Sequence, residues 1–206
     1  MELSVTFMSN VIGIIAILLY ISAPFFHEAK KALYARLLSE LLFGMMFFYI
    51  GCLAGVVYYF FMILSALFEK QIEHNSIFSL IYGVAGCGTV IFFNNNGIPG
   101  IILGISMILV FVHIDDQKML TTSAFTDVMT ALALLYYSIS VRSITGIVFA
   151  VILVLIAGAG LFSAVRLVKG GGLKAAAAEE ALYQKQQQKK RQERKSTPRT
   201  KQIRKK

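Results

Sequence analysis

Leu37-Leu-Ser-Glu-Leu-Leu-Phe-Gly-Met-Met-Phe-Phe-Tyr49 can be laid over Ala124-Phe-Thr-Asp-Val-Met-Thr-Ala-Leu-Ala-Leu-Leu-Tyr136 at a constant offset of 87 residues. Glu40 then meets Asp127, and these are the only acids that fall inside apolar stretches long enough to be membrane helices. The overlay needs no gap from Gly13 to Tyr49: Gly13-Ile14-Ile15 meets Gly100-Ile101-Ile102, Glu28 meets Asp115, Lys31 meets Lys118, Leu33 meets Leu120, Ser39 meets Thr126 and Tyr49 meets Tyr136. Apolar coincidences are cheap in an apolar chain, so the polar ones carry the case. Shifting the overlay by four residues after Tyr136 brings Gly55-Val56-Val57 over Gly146-Ile147-Val148.

Outside these stretches the composition is that of a membrane-embedded chain. Hydrophobic residues make up 57% and charged residues 15%, and mean hydropathy is +0.69. A spanning helix takes about 20 mostly apolar residues, and seven segments approach that length: 5–26, 37–51, 52–68, 77–93, 98–114, 123–140 and 144–168. Reading 37–68 as one helix would give ~48 Å, too long for a hydrocarbon core of ~30 Å. A tight Gly51-Cys52 turn is therefore expected between two shorter spans. The first segment has no basic region before it and no small-residue cleavage pattern before His27, so it reads as a helix and not as a secretion signal.

Basic residues set the orientation. Lys30, Lys31 and Arg36 follow the first span, Lys70 the third and Lys118 the fifth, whereas the alternate loops hold only Arg142. Of the 20 Lys and Arg, 14 lie from Arg166 onward. Because Lys and Arg collect on the cytoplasmic side, the N-terminus is expected outside, the C-terminus in the cytoplasm, and Asn94-Asn95-Asn96-Gly97 in an uncharged outer loop. Residues 1–170 thus form one all-α, seven-helix membrane domain. Its expected plan is two parallel three-helix repeats, about 5–68 and 98–168, joined by a linker helix at about 77–93; the odd linker makes both repeats point the same way.

Glu40 and Asp127 each admit two readings. Near the start of an outward-running helix a carboxylate complements the positive end of the helix dipole. An acid inside a membrane helix also commonly marks a substrate or proton route. Gly44 and Ala131 follow the two acids by one turn on the same face and would leave space above them. Two converging carboxylates would repel, so that one could hold a proton; Glu40 and Asp127 are therefore the candidate substrate or proton pathway. Tyr49 and Tyr136 are candidates for stacking on a substrate, or simple interfacial anchors. Pro24 removes a backbone hydrogen bond near the end of the first helix and is a candidate hinge.

Other signals favour packing over chemistry. Tyr82-Gly83-Val84-Ala85-Gly86-Cys87-Gly88-Thr89 offers small residues that let backbones approach, and Gly158 and Gly160 read the same way, with Gly-mediated dimerisation as the alternative. Cys52 and Cys87 read as small buried hydrophobes. His113 and its neighbours Asp115 and Asp116 suit a solvated helix end. His74 and Cys87 would stand ~20 Å apart along a helix, too far for a base and its thiol. With no phosphate loop, serine elbow or zinc signature, no enzyme, metal or cofactor is expected.

After Gly170-Gly171-Gly172, residues 171–206 form a cytoplasmic tail, helical or disordered, whose basic residues include Lys189, Lys190, Arg191, Arg194 and Lys195. Such a cluster beneath a membrane attracts anionic lipid head groups. RNA contact is the alternative, but the tail's polybasic end has no aromatic residue to stack on bases, and nucleic acid is not expected.

The stretch Lys31-Ala-Leu-Tyr-Ala-Arg-Leu-Leu-Ser-Glu-Leu-Leu-Phe-Gly-Met-Met-Phe-Phe-Tyr-Ile-Gly-Cys-Leu-Ala-Gly55 resembles the second-helix signature of the YgjV-type bacterial inner-membrane family. There a basic loop leads into an LLS-x-x-LF pattern, an aromatic residue and a Gly-x-x-x-Gly turn. The three-one-three plan is also similar to the SWEET, PQ-loop and KDEL-receptor group, although this chain has no Pro-Gln dipeptide and no tryptophan. These resemblances imply a multi-pass protein of a bacterial inner membrane, either a small-solute transporter with a central cavity or a non-transporting receptor or assembly protein of the same fold. A homo-oligomer is compatible with both.

Overall fold

The computed structural model describes residues 2–68, 71–72, 75–111 and 120–169. Seven α-helices of 14 residues or more order the described chain: α1 Glu2–Ser22, α2 Ala29–Tyr49, α3 Leu53–Leu67, α4 Ser76–Phe92, α5 Ile98–Phe111, α6 Leu120–Ser140 and α7 Ile144–Lys169. Three stretches, Ser4–Phe25, Ala29–Tyr49 and Ile144–Arg166, are long and apolar enough to cross a membrane. The apolar helices α3, α4 and α5 are shorter. The chain divides into two compact units, Met1–Phe162 and Ser163–Lys206. The described part of the second is the end of α7, and the candidate lipid-binding residues Lys189, Lys190, Arg191, Arg194 and Lys195 lie outside the described residues.

The distribution of polarity suits a lipid solvent. Ser9, Ser39, Ser79, Ser106, Ser138 and Thr145 are buried, while Phe7, Leu18, Ile81, Phe92, Leu155 and Phe162 are exposed. A helix can bear an apolar outer face in lipid because its own backbone satisfies every N–H and C=O except those at its ends. Buried hydroxyls then bond to backbone carbonyls: Ser39 Oγ donates to Ala16 O at 2.8 Å, tying α2 to α1, and Ser79 Oγ donates to Phe111 O, tying α4 to α5.

One helix start and one helix end correct the sequence reading. α2 begins at Ala29, so Lys30, Lys31 and Arg36 lie within a helix and not in a loop. Helical spacing lets acids pair with two of them: Lys31 with Glu28 at 2.8 Å and Arg36 with Glu40 at 3.0 Å. α1 ends at Ser22, and Pro24 stands in the 3-10 turn Ala23–Phe25 that follows. Pro24 therefore terminates α1, where a missing N–H costs little, and no interrupted ladder inside the helix is left for it to hinge.

The turns after α2 and α6 share one construction. Gly51 N donates to Phe48 O and Cys52 N to Phe47 O; Arg142 N donates to Ile139 O and Ser143 N to Ser138 O. The residue at the turn has positive φ in both, 73° for Gly51 and 55° for Arg142. This is the Schellman pattern, in which a left-handed residue lets the chain cap its own last carbonyls. Asn75 caps the start of α4 by accepting from the N–H groups of Ile77 and Phe78.

Packing at close approach follows the small residues. A Cβ on Gly83 would lie 3.3 Å from Met107 O, and one on Gly104 3.3 Å from Cys87 O, so α4 and α5 pack nearly backbone to backbone. At the crossing of α1, α2 and α7, Gly13 leaves room for Thr145, whose Oγ1 donates to Met46 Sδ at 3.0 Å. Gly158 and Gly160 differ from expectation: nothing lies within 4 Å of a Cβ built on either. Cys52 and Cys87 are free and buried, as small hydrophobes.

Candidate functional site

A cavity of about 490 Å³ opens among the helices, and a smaller lobe of about 70 Å³ adjoins it. They share Tyr20 of α1, Arg36 of α2, Tyr58 and Met62 of α3, Leu134 of α6 and Leu153 of α7. The large cavity adds Val110 of α5, Asp127, Thr130 and Ala131 of α6, and Gly160 of α7. The lobe adds Glu40, Phe43, Tyr59 and Phe149. Six helices line the combined space, and α4 contributes no side chain to it.

Toward the Schellman turns the space ends in packed rings. Phe43 lies 4.1 Å from Phe149 and 5.2 Å from Tyr59 between ring centres, and Phe47 lies 5.5 Å from Tyr137. All five are buried. Above them Tyr137 accepts from Gly55 N at 3.0 Å and donates to Asn96 Oδ1 at 2.9 Å. Asn95 accepts from Leu53 N at 3.1 Å and donates to Gly51 O at 2.6 Å. The asparagine loop is thus a clasp holding α3, α6 and the α2–α3 turn together. At the other end Asp127 is exposed, so the cavity reaches the surface there.

The two repeated acids occupy different environments. Glu40 is 4% exposed; its Oε1 accepts from Arg36 Nε, and its Oε2 has no hydrogen-bond partner among the described residues. Asp127 is exposed and makes no ion pair among the described residues. Counted from the shared turns, Asp127 stands one helical turn farther from Arg142 than Glu40 does from Gly51. A turn is ~5.4 Å, which puts Asp127 nearer the mouth. The pair of like carboxylates expected from the overlay is replaced by a half-buried ion pair and a separate acid at the opening.

Of the other candidates, Ala131 lines the cavity and is buried. Gly44 lines neither space; a Cβ there would lie 3.6 Å from Tyr59 Cβ, so its small size serves the approach of α2 to α3. Tyr49 and Tyr136, 42% and 45% exposed, also lie outside both spaces. His113, Asp115 and Asp116 fall outside the described residues. Sequence reasoning missed Arg36, Tyr20, Tyr58 and Thr130. Arg36 carried a signal in its spacing of one turn from Glu40; the others looked like ordinary residues of apolar helices. Thr130 Oγ1 is buried without a partner, a second polar atom left unmatched in the cavity wall. Neither a family model, nor a curated protein, nor a solved structure matches the chain.

Proposed function

We propose that the chain is a seven-span membrane transporter of a small solute, made of two parallel three-helix units, α1–α3 and α5–α7, joined by α4. One observation carries this reading: the cavity takes its walls from all six helices of the two units, none from α4, and is closed at one end and open at the other. A site between two units that can rock against each other is the arrangement alternating access requires. The matching Schellman turns support the repeat, because Gly51 and Arg142 are related by the same shift that overlays Gly55 on Gly146. The exposed apolar surface supports the membrane setting, and the basic tail supports a cytoplasmic C-terminus in a bacterial inner membrane. In this orientation the closed end faces outward and the cavity opens toward the cytoplasm.

Coupling to a proton would use Glu40 and Asp127, the two acids of the cavity. Purified protein in proteoliposomes is expected to carry solute, with flux that responds to a pH gradient. The double variant Glu40→Gln, Asp127→Asn is expected to reduce uptake at least tenfold and to flatten its pH profile. Unchanged uptake and pH profile in the double variant would sink the role of the acids. Saturable binding without flux would favour a receptor of the same fold.

A further inference from the structure

We infer that the cavity is built for a small organic monocation bearing N–H donors, such as a protonated primary amine, held by Glu40 and Asp127; this rests on the transporter reading for its biological meaning but concerns binding alone. Among the described residues, the charged side chains lining the space are Arg36, Glu40 and Asp127, one guanidinium against two carboxylates. Arg36 is committed to Glu40 through Nε, which leaves a surplus of one negative charge. Two side-chain oxygens of the lining residues also lack partners among the described residues. Glu40 Oε2 is buried and unpartnered, and Thr130 Oγ1 is likewise unmatched.

A buried acceptor without a donor is unfavourable, and a ligand N–H in that position would remove the penalty. An ammonium suits the position better than a hydroxyl, because a charge-assisted hydrogen bond to carboxylate is roughly twice as strong as a neutral one. An anion would meet two carboxylates against a single guanidinium. The walls favour the same class. Tyr20, Phe43, Tyr58, Tyr59 and Phe149 line the lobe, and an aromatic lining suits a cation better than an anion. Asp127 at the exposed mouth would meet a cation first and draw it inward. A volume of about 490 Å³ leaves space for an apolar body behind the charge.

Four probes of similar size separate the charge classes: 2-phenylethylammonium, 3-phenylpropan-1-ol, 3-phenylpropionate and zwitterionic phenylalanine. Equilibrium binding is measured by calorimetry on the full chain in nanodiscs of uncharged lipid, so that lipid charge does not contribute. The ammonium is expected to bind at least tenfold tighter than the alcohol and the zwitterion, and the carboxylate not to bind. Glu40→Gln should weaken the ammonium at least tenfold and Asp127→Asn at least threefold, with alcohol binding unchanged in both. Asp127 is exposed, so Asp127→Asn keeps the test available if Glu40→Gln does not fold. Equal or tighter binding of alcohol, zwitterion or carboxylate, no binding of any probe, or an ammonium affinity indifferent to both variants would overturn the inference. Ammonium binding without flux in proteoliposomes would overturn the transporter reading and leave this one intact; flux restricted to anions would do the reverse.

Discussion

Arg36 and Glu40 form an unequal pair: the side chain of Arg36 is 44% exposed and that of Glu40 only 5%. Removing either partner therefore has different consequences. Arg36→Ala strands a buried carboxylate and is expected to cost about 2 kcal/mol, within the range for leaving a buried polar group unmatched. Glu40→Gln keeps an acceptor for Arg36 Nε and removes the stranded charge, so its cost should be below ~1 kcal/mol. Thermal unfolding in detergent checks the order, and a smaller loss for Arg36→Ala than for Glu40→Gln would contradict the burial of Glu40. The sequence displayed this pair at helical spacing, but Arg36 looked like a loop residue. Within α2, Lys31 and Arg36 are paired with Glu28 and Glu40, which local hydropathy does not register.

Helix ends are where the element scale decides stability. Gly51 at φ 73° holds a conformation that costs an L-residue ~1–2 kcal/mol, and Arg142 at φ 55° bears that cost already. Gly51→Ala should therefore destabilise by about 1 kcal/mol, while Arg142→Gly should stabilise by up to ~1 kcal/mol. Urea or thermal titration of the two variants tests whether the turns are equivalent; effects of the same sign would argue against it. Tyr137 joins α6 to Gly55 at the start of α3 and to Asn96 in the α4–α5 loop. Tyr137→Phe leaves the Gly55 N–H without its acceptor and should cost about 1–3 kcal/mol. Faster amide exchange at Gly55 and in the asparagine loop is the expected signature, and unchanged exchange would show that the clasp is not held by this hydroxyl. Gly51 was legible as a turn, whereas the clasp was not, because Asn94–Gly97 and Tyr137 are distant in sequence.

For the whole molecule, orientation in the membrane is the claim most directly open to test. Ser140 at the end of α6 is exposed, and the native Cys52 and Cys87 are buried. Ser140→Cys is expected to react with a membrane-impermeant thiol reagent on intact cells, while the unsubstituted chain stays unlabelled. Labelling only after the membrane is opened would invert the topology. α3 and α4 have 15 and 17 residues, lengths of roughly 23 to 26 Å at ~1.5 Å per residue. If they span the membrane as proposed, helices shorter than a ~30 Å hydrocarbon core are accommodated by local thinning or by snorkelling flanks.

The amino-acid sequence by itself determined the apolar character, the seven helical segments, the break at Gly51 and the close packing around Gly83 and Gly86. These follow from composition and from residues whose conformational needs are local. Tertiary structure alone decided that α2 starts early enough to include Arg36, that Glu40 and Asp127 sit at different depths, and that Tyr49 and Tyr136 lie outside the cavity. The reason is geometric: four residues are one turn of helix, so sliding the overlay by that amount preserves the face a side chain occupies but changes its height. Sequence periodicity records the face; depth is set by where the helices cross and by the turns that fix their ends.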